Sequence, residues 1–292
     1  MSVGIHSFST IALPPAVPIV ERLFDMWGVH IALRADNRET LEAIVPFLPV
    51  EWRPGTAGQP ADRVYTFRAN AHRDPAFGPA YDVTADGRTL ERSLDFSAAV
   101  HQLAFDLEAF VTETSPRYVI VHAGVVAWGG RAIVIPGRSF SGKSTLTAAL
   151  LNEGARYFSD EYALVDDEGF VHPFRRPLHL RQPTVGLPPP DAECWAPSED
   201  EALRVALVVL THFDETTDWQ PLPICHGDAV LALFASTMSA QKQSRRVLQV
   251  LDRMLESALP TRSPRGDARK TAAKVMQVLS RAHPPAIFRR VA

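Results

Sequence analysis

The first 114 residues alternate between stretches with the two-residue period of a strand and stretches with the 3.6-residue period of a helix. Loops rich in Pro and Gly, such as 49–62, separate these stretches. The Asp86-Gly87 pair, between two alternating runs, is typical of a hairpin turn. The predicted elements are strands at 28–35 and 63–70, helices at 38–48 and 95–114, and a hairpin at 81–93.

Beyond residue 115 the pattern is dominated by apolar, strand-like runs with helices between and after them. Strands are predicted at 118–128 and 131–137 around a Gly129-Gly130 turn, and an apolar helix follows the second strand. The Pro-rich segment 181–197 predicts an irregular connection, mobile or serving as a lid. The other predicted elements are a strand and turn at 155–174, a buried strand at 202–213 and closing helices at 239–259 and 267–282. This alternation predicts an α/β fold.

The composition is that of an ordinary globular chain of 292 residues, 46% apolar and 22% charged, with a net charge of −3. No uncharged apolar stretch reaches about 18 residues, and the N-terminus lacks the basic region of a signal peptide. Cys194 and Cys225 are too few for a disulfide framework or a thiolate metal cluster. These features predict a cytoplasmic protein with no membrane association.

Charge is unevenly distributed along the chain. Residues 239–292 carry twelve Lys and Arg against three Asp and Glu, a net +9, so the rest of the chain sums to −12. Because the arginines fall at helical spacing with apolar residues between them, they are typical of solvated helix faces. The alternative is a docking face for an acidic or phosphorylated partner. We expect no nucleic-acid partner.

The segment 137–144, GRSFSGKS, matches the phosphate-binding pattern G-x-x-x-x-G-K-[ST] between a predicted strand and a predicted helix. Glycines let the backbone N–H groups turn inward around an anion, and the helix adds the positive end of its dipole. Lys143 supplies a cation for the phosphates and Ser144 a hydroxyl for Mg²⁺. The predicted nucleotide-binding residues are Gly137, Ser139, Ser141, Gly142, Lys143, Ser144 and Thr145.

Two further groups flank this loop in the sequence. His122 lies fifteen residues before Gly137, and the pair Asp160-Glu161 lies seventeen and eighteen residues after Lys143. Parallel strands on either side of a phosphate loop end at the same sheet edge, where ligands bind. We therefore expect His122 and the acidic pair to converge on the γ-phosphate.

The stretch VHAGVVAWGGRAIVIPGRSFSGKSTL, followed by ARYFSDE, resembles the catalytic domain of HPr kinase/phosphorylase, a bacterial serine protein kinase. The likeness covers about residues 118–182 and rests on the spacing of the histidine, the loop and the acidic pair. The segment at 262–279 also resembles the closing helix of HPr-kinase-related proteins that are encoded beside peptide-modifying genes. The resemblance implies a phosphoenolpyruvate-carboxykinase-like P-loop fold and the cofactors ATP and Mg²⁺.

The resemblance also implies roles for individual residues. Lys143 would hold the phosphates, Asp160 would take the proton of the acceptor hydroxyl, and His122 would hydrogen-bond and orient that base. Ser144 and Glu161 would hold the metal. The sequence departs from the family at Glu161, where HPr kinases usually have Asp, so which of the two acids is base and which is ligand stays open. The loop typical of the phosphorylase activity is not recognisable, which leaves the reverse reaction open.

Arginines downstream of the acidic pair are candidate contacts to the substrate or to phosphate. Arg175 and Arg181 share strand parity, although Pro177 interrupts the segment. Arginine side chains stabilise transition-state charge in phosphoryl transfer. The alternative is a pair of surface arginines on a strand.

The chain is thus interpreted as an N-terminal α/β region, 1–94, with a role in substrate recognition, and an HPr-kinase-like ATP-binding catalytic domain, 95–292. The predicted function is ATP-dependent phosphorylation of a hydroxyl, Ser above all, in a small protein or in a peptide such as a biosynthetic precursor. The alternative is a non-catalytic ATP-binding module that switches a protein partner. The identity of the substrate, the preference for ATP over GTP and the formation of a homo-oligomer stay open.

Overall fold

The computed structural model describes residues 19–49, 51–70, 79–138, 141–174, 176, 178 and 201–282. Within these ranges the chain is a mixed α/β protein, as the hydrophobic pattern predicts, and it has two β-sheets and six α-helices. It divides into two compact units. Of the described residues, the first unit takes those up to 24, 30–48 and 54–104, and the second takes 25–29, 49–53 and those from 105 onward.

The first unit is built on a six-stranded sheet. Its strands are β1 (Val20–Met26), β2 (Val29–Ala35), β3 (Arg53–Pro54), β4 (Arg63–Ala69), β5 (Tyr81–Ala85) and β6 (Arg88–Leu94), in the order β3-β1-β2-β4-β5-β6. Strand β2 pairs with β4 in parallel, and β4, β5 and β6 form an antiparallel meander. Helix α1 (Arg38–Ile44) joins β2 to the third strand, and the side chain of Asn37 caps it by accepting a hydrogen bond from the Thr40 N–H at 2.8 Å.

The strands of this unit alternate between buried and solvated side chains. Tyr65 and Phe67 of β4 and Val83 of β5 are fully buried, whereas Thr66 is only partly buried and Arg68 is exposed. This period of two is the signature of a sheet with one apolar face and one polar face. The long helix α2 (Phe96–Thr114) follows, and the chain passes from the first unit to the second within it.

The second unit is built on an eight-stranded sheet. Its strands are β7 (Val119–Trp128), β8 (Arg131–Pro136), β9 (Arg156–Ser159), β10 (Tyr162–Val165), β11 (Phe170–His172), β12 (Leu203–Leu210), β13 (Leu222–Pro223) and β14 (Leu259–Arg262). The order is β11-β10-β7-β8-β12-β14-β13, with β9 also paired to β7. Its helices are α3 (Lys143–Asn152), α4 (His226–Phe234), α5 (Ser244–Leu255) and α6 (Ala268–Ala282). Strands β8, β12 and β14 are parallel.

Helices cover both faces of this sheet, so most side chains of its central strands are apolar and buried. One core cluster joins alternate residues of β7, such as Val121 and Val125, to apolar side chains of α4 and α5. A second cluster joins Ile133 and Ile135 of β8 to apolar side chains of α3 and α6. The second unit is therefore a three-layer α/β/α arrangement with the sheet in the middle.

The elements expected from the pattern are confirmed, with shifts at their ends. The helix predicted over 239–259 begins only at Ser244 and ends at Leu255. Strands β1, β3, β13 and β14 and helix α4 are additional, and the Pro-rich segment 181–197 lies outside the described residues. Among the helices of the described ranges, none combines the length and the apolar character that crossing a membrane requires.

Candidate functional site

The phosphate loop leaves the end of β8 and enters the first turn of α3, as its pattern predicts. Gly142 is the N-cap of α3 and has a φ of +84°, a left-handed conformation that favours glycine. Its carbonyl accepts the first helical hydrogen bond, from the Leu146 N–H at 3.1 Å. Ser144 and Thr145 follow in the first turn and are partly buried, whereas Ser139 lies outside the described residues.

The loop closes tightly around a buried hydroxyl. A Cβ added at Gly137 would lie only 2.7 Å from Ser141 Oγ, so this approach requires glycine. Within the described residues, Ser141 Oγ is shielded from solvent and has no hydrogen-bond partner. A buried hydroxyl without a partner is costly unless a ligand completes it. Ser141 therefore suits a loop that binds an anion.

Lys143 folds back over this loop. Its side chain is 7% exposed, and Nζ donates a hydrogen bond to the Arg138 carbonyl oxygen at 2.9 Å. Burial lowers the pKa of the Lys143 ammonium, and the carboxylates of Asp160 and Glu161 act in the opposite direction. The loop therefore carries a buried cation whose charged form is favoured by two carboxylates.

The strand directions next to the loop differ from the expectation, which assumes parallel neighbours. Strand β7 runs antiparallel to β8, with Ala123 opposite Pro136. Because the strands run in opposite directions, the first part of β7 lies beside the end of β8. The Gly137 N–H donates a hydrogen bond to the His122 carbonyl oxygen at 3.2 Å. His122 is thus adjacent to the loop, but through antiparallel pairing.

The acidic pair lies beside His122 because β9, which it directly follows, pairs with β7 in the antiparallel direction. The Ala123 N–H donates to the Glu161 carbonyl oxygen at 3.0 Å. The fully buried Ser159 fixes the acidic turn, since its hydroxyl accepts hydrogen bonds from the N–H groups of Glu161 and Tyr162 at 3.1 and 3.0 Å. The structure therefore brings His122, Gly137 and the acidic pair to one sheet edge.

Close packing of β7 against α3 makes this edge compact. A Cβ added at Gly124 would lie 2.6 Å from Thr147 Oγ1 and 3.8 Å from the Cβ of Lys143. Only glycine allows α3, and with it the loop lysine, to approach the strand so closely. Gly124 is a site determinant that the sequence analysis does not single out, although its place beside His122 is a signal.

Asp160 is held by a tyrosine that the sequence analysis also does not identify. Tyr157 Oη lies 2.9 Å from Asp160 Oδ1 and 2.8 Å from the Arg176 carbonyl oxygen, and its single proton is available to either acceptor. Burial, together with the Asp160 carboxylate, raises the pKa of the Tyr157 hydroxyl, which keeps the group neutral and able to donate. Tyr157 orients the proposed base.

Glu161 belongs to a separate ionic cluster. Arg176 Nη1 donates to Glu161 Oε2 at 2.5 Å and lies 3.3 Å from Glu108 Oε1, which also accepts a hydrogen bond from the Tyr162 hydroxyl at 2.8 Å. Burial raises the pKa of the Glu161 carboxyl, and the Arg176 guanidinium opposes that effect. Glu108 lies 53 residues from Glu161 along the chain, so no local motif reveals the contact.

The expected hydrogen bond from His122 to Asp160 is not formed. Within the described residues, the His122 ring makes no hydrogen bond to Asp160, and it lies beside the Tyr162 ring, with the ring centroids 6.1 Å apart. Burial, reinforced by the Lys143 ammonium, lowers the pKa of His122 to about 4. The imidazole is thus neutral at physiological pH, and Tyr157 takes the orienting role.

The neutral state of His122 predicts a pH dependence of stability. Its ring takes up a proton below pH about 6.5 in the unfolded chain but only near 4 in the folded one, so stability falls as the pH drops through this window. We expect the contribution to be about 1–2 kcal/mol, because the ring is only partly buried and solvent screens it. Urea unfolding at pH 7.5 and 4.5 measures it. His122→Gln should flatten the pH slope, and an unchanged slope would assign it to other groups.

Two other predicted contacts, Arg175 and Arg181, lie outside the described residues. Their neighbour Arg176 is described, and its side chain binds Glu161. In the described ranges there is no cluster of three or more His, Cys, Asp or Glu side chains that could bind a metal by themselves. Mg²⁺ in nucleotide sites needs only one or two protein ligands beside phosphate oxygens and water, so a single carboxylate with a hydroxyl is sufficient for such a site.

No protein-family model matches the chain, and a search of the curated proteins finds no significant match. What the site does is therefore inferred from its own residues.

Proposed function

We propose that this chain is an ATP-dependent kinase that phosphorylates a hydroxyl, Ser above all, of a small protein or peptide. We propose in addition that its P-loop domain shares the phosphoenolpyruvate-carboxykinase-like fold of HPr kinase/phosphorylase. The observation that carries the proposal is the common sheet edge at which a phosphate loop, His122 and the Asp160-Glu161 turn lie together. Binding of a nucleotide with Mg²⁺ needs only one carboxylate for the metal, so the second acid of the pair is left to accept the proton of a hydroxyl.

The residues of the loop fit a nucleotide phosphate. The partnerless hydroxyl of Ser141, the close approach at Gly137 and the buried Lys143 all favour an anionic ligand. When bound, Mg²⁺ neutralises phosphate charge and makes ADP a better leaving group. Ser144 would hold it together with Glu161, provided that Arg176 yields its contact with Glu161, or with Asp160 if the two acids exchange roles.

Transfer would then follow from these side chains. Asp160 accepts the proton of the acceptor hydroxyl while that oxygen forms a bond to the γ-phosphorus. The bond between the γ-phosphorus and the bridging oxygen breaks, and its electron pair leaves with ADP. Lys143 stabilises the charge on the phosphates, and Tyr157 keeps Asp160 in position. His122 offers a neutral hydrogen-bonding group, so it adds no positive charge beside the acceptor hydroxyl.

The first unit offers a surface on which an acceptor could be recognised. A cavity of about 350 Å³ opens on the solvated face of its sheet and is lined by polar side chains of both charges, among them Thr66, Arg68, Asp82 and Arg92. Peptides present backbone amides and side chains of either charge, which such a lining can hydrogen-bond. This cavity supports a role of the first unit in substrate recognition.

The test is transfer of label from γ-labelled ATP, in the presence of Mg²⁺, to a library of Ser-containing peptides. We expect phosphopeptide to accumulate, with ADP formed in equal amount. If ATP binds but is neither transferred nor hydrolysed, the non-catalytic switch is the better interpretation, and a change in the binding of a protein partner upon ATP addition would establish it.

A further inference from the structure

A buried arginine lies directly behind the phosphate loop. Arg265 is 2% exposed and belongs to the connection between β14 and α6. Its Nη2 donates a hydrogen bond to the Gly142 carbonyl oxygen at 2.7 Å, and its Nη1 donates to the Gly266 carbonyl oxygen at 2.9 Å. A Cβ at Gly142 would overlap Nη2, so the loop glycine is required by this contact as well as by its φ.

The backbone around Arg265 holds this side chain in place. The Arg265 N–H donates to the His212 carbonyl oxygen at 2.9 Å, and its carbonyl accepts from the Asp214 N–H at 2.8 Å. The guanidinium lies 5.6 Å from the ring centroid of Phe213, within range of a cation–π contact. The Arg265 charge is thus preorganised beside the loop.

No carboxylate in the described residues forms a salt bridge with this charge. The Nε of Arg265 is buried and has no hydrogen-bond partner there. Burial lowers the pKa of the guanidinium, and the nearest opposing carboxylate, Asp267, is engaged in capping α6 through the Lys270 N–H at 2.9 Å. A buried cation that lacks a carboxylate is costly.

The position of Arg265 next to other positive charges increases the free-energy cost of burying its guanidinium. Arg265 contacts the N-cap of α3, where the helix dipole is positive, and the first residue of that helix is the buried Lys143. Two buried cations and a positive helix end therefore meet on one loop. These positive charges repel one another, and a bound anion with several negative charges offsets that repulsion.

We propose that Arg265 is a second cation of the phosphate site, a positioning residue that acts through the Gly142 carbonyl and favours polyanionic ligands such as triphosphate and pyrophosphate. This inference rests on the proposed nucleotide binding but is independent of phosphoryl transfer. Arg265 tunes anion affinity, and its charge is destabilising while the loop has no ligand. Through its backbone hydrogen bonds to His212 and Asp214 it also connects residues 212–214 to the loop.

Titration of ATP and of inorganic pyrophosphate into Arg265→Met tests the proposal, with Arg269→Met, an exposed arginine on α6, as the matched control. We expect Kd for both ligands to rise about tenfold, the effect of a unit charge at short range in a partly screened medium. The melting temperature of the ligand-free protein should stay level or rise. Arg265→Lys, which keeps the charge, should bind within about threefold of the unsubstituted chain.

The outcomes distinguish an arginine whose charge raises the affinity for the anion from an arginine that only stabilises the fold. A lowered melting temperature of ligand-free Arg265→Met with unchanged Kd would overturn the proposal, and so would a tenfold loss in Arg265→Lys. If Arg265→Met does not fold, the Lys variant carries the test alone. ATP binding without transfer would refute the kinase but leave this inference standing, whereas absence of binding in the unsubstituted chain would overturn both.

Discussion

Replacing Asp160 by Asn should reduce phosphoryl transfer about a thousandfold while ATP still binds. Asparagine keeps the shape of the side chain and the hydrogen bond from Tyr157, but it cannot accept the proton of the acceptor hydroxyl. The measurement is the initial rate of phosphopeptide formation, with ATP affinity determined in parallel by calorimetry. Asp228→Asn, an exposed acid in the first turn of α4, is the matched control and should transfer at the normal rate.

The Glu161→Gln variant distinguishes the two acids. If Asp160 is the base, Glu161→Gln should raise the Mg²⁺ concentration needed for half-maximal rate and recover much of its activity when Mg²⁺ is in excess. Asp160→Asn should not recover. The reverse pattern would exchange the roles of base and ligand without changing the class of reaction, and equal transfer by both variants and the unsubstituted chain would remove both acids from the mechanism.

Replacing Lys143 by Met should weaken ATP binding about 100-fold, because the charge-assisted hydrogen bonds to the phosphates are lost. Methionine preserves most of the buried alkyl chain, and the pKa of Lys143 is already lowered by burial. We therefore expect the ligand-free variant to be at least as stable as the unsubstituted chain. Calorimetry and thermal unfolding measure the two effects, with the exposed Lys270→Met as the control. Unchanged ATP affinity would assign Lys143 a structural role.

Much of the fold is visible in the periodicity of the sequence, because both sheets and the amphipathic helices bury regular apolar positions. Helix α4 escapes prediction because its apolar run, residues 229–234, is too short to distinguish a helix from a strand. The antiparallel direction of β7 relative to β8 differs from the expected parallel one, although the sequence itself determines it. A two-residue Gly129-Gly130 connection can join only antiparallel strands, since a parallel pair needs a crossover of a dozen residues or more.

The site was predictable to the extent that it is local. The loop and its spacing to His122 and Asp160-Glu161 indicate one sheet edge, and the structure brings these residues together there. The residues that orient the side chains of the site or add charge to it belong to segments that are distant in the sequence. Glu108 belongs to α2 and lies near the acidic turn, and Arg265 belongs to the connection between β14 and α6 and contacts the loop. Only tertiary packing brings these residues to the site.

The most direct test of the central claim follows the γ-phosphate of ATP bound to the unsubstituted chain and to Asp160→Asn in a single turnover. Both proteins are held in excess over labelled ATP, with Mg²⁺ and the Ser-containing peptides present, so that water and hydroxyls compete as acceptors. We expect the unsubstituted chain to transfer the label to a serine hydroxyl, and the variant to bind ATP equally well and leave it intact. Label that stays in ATP on both proteins, or leaves both at the same rate, would contradict the proposal.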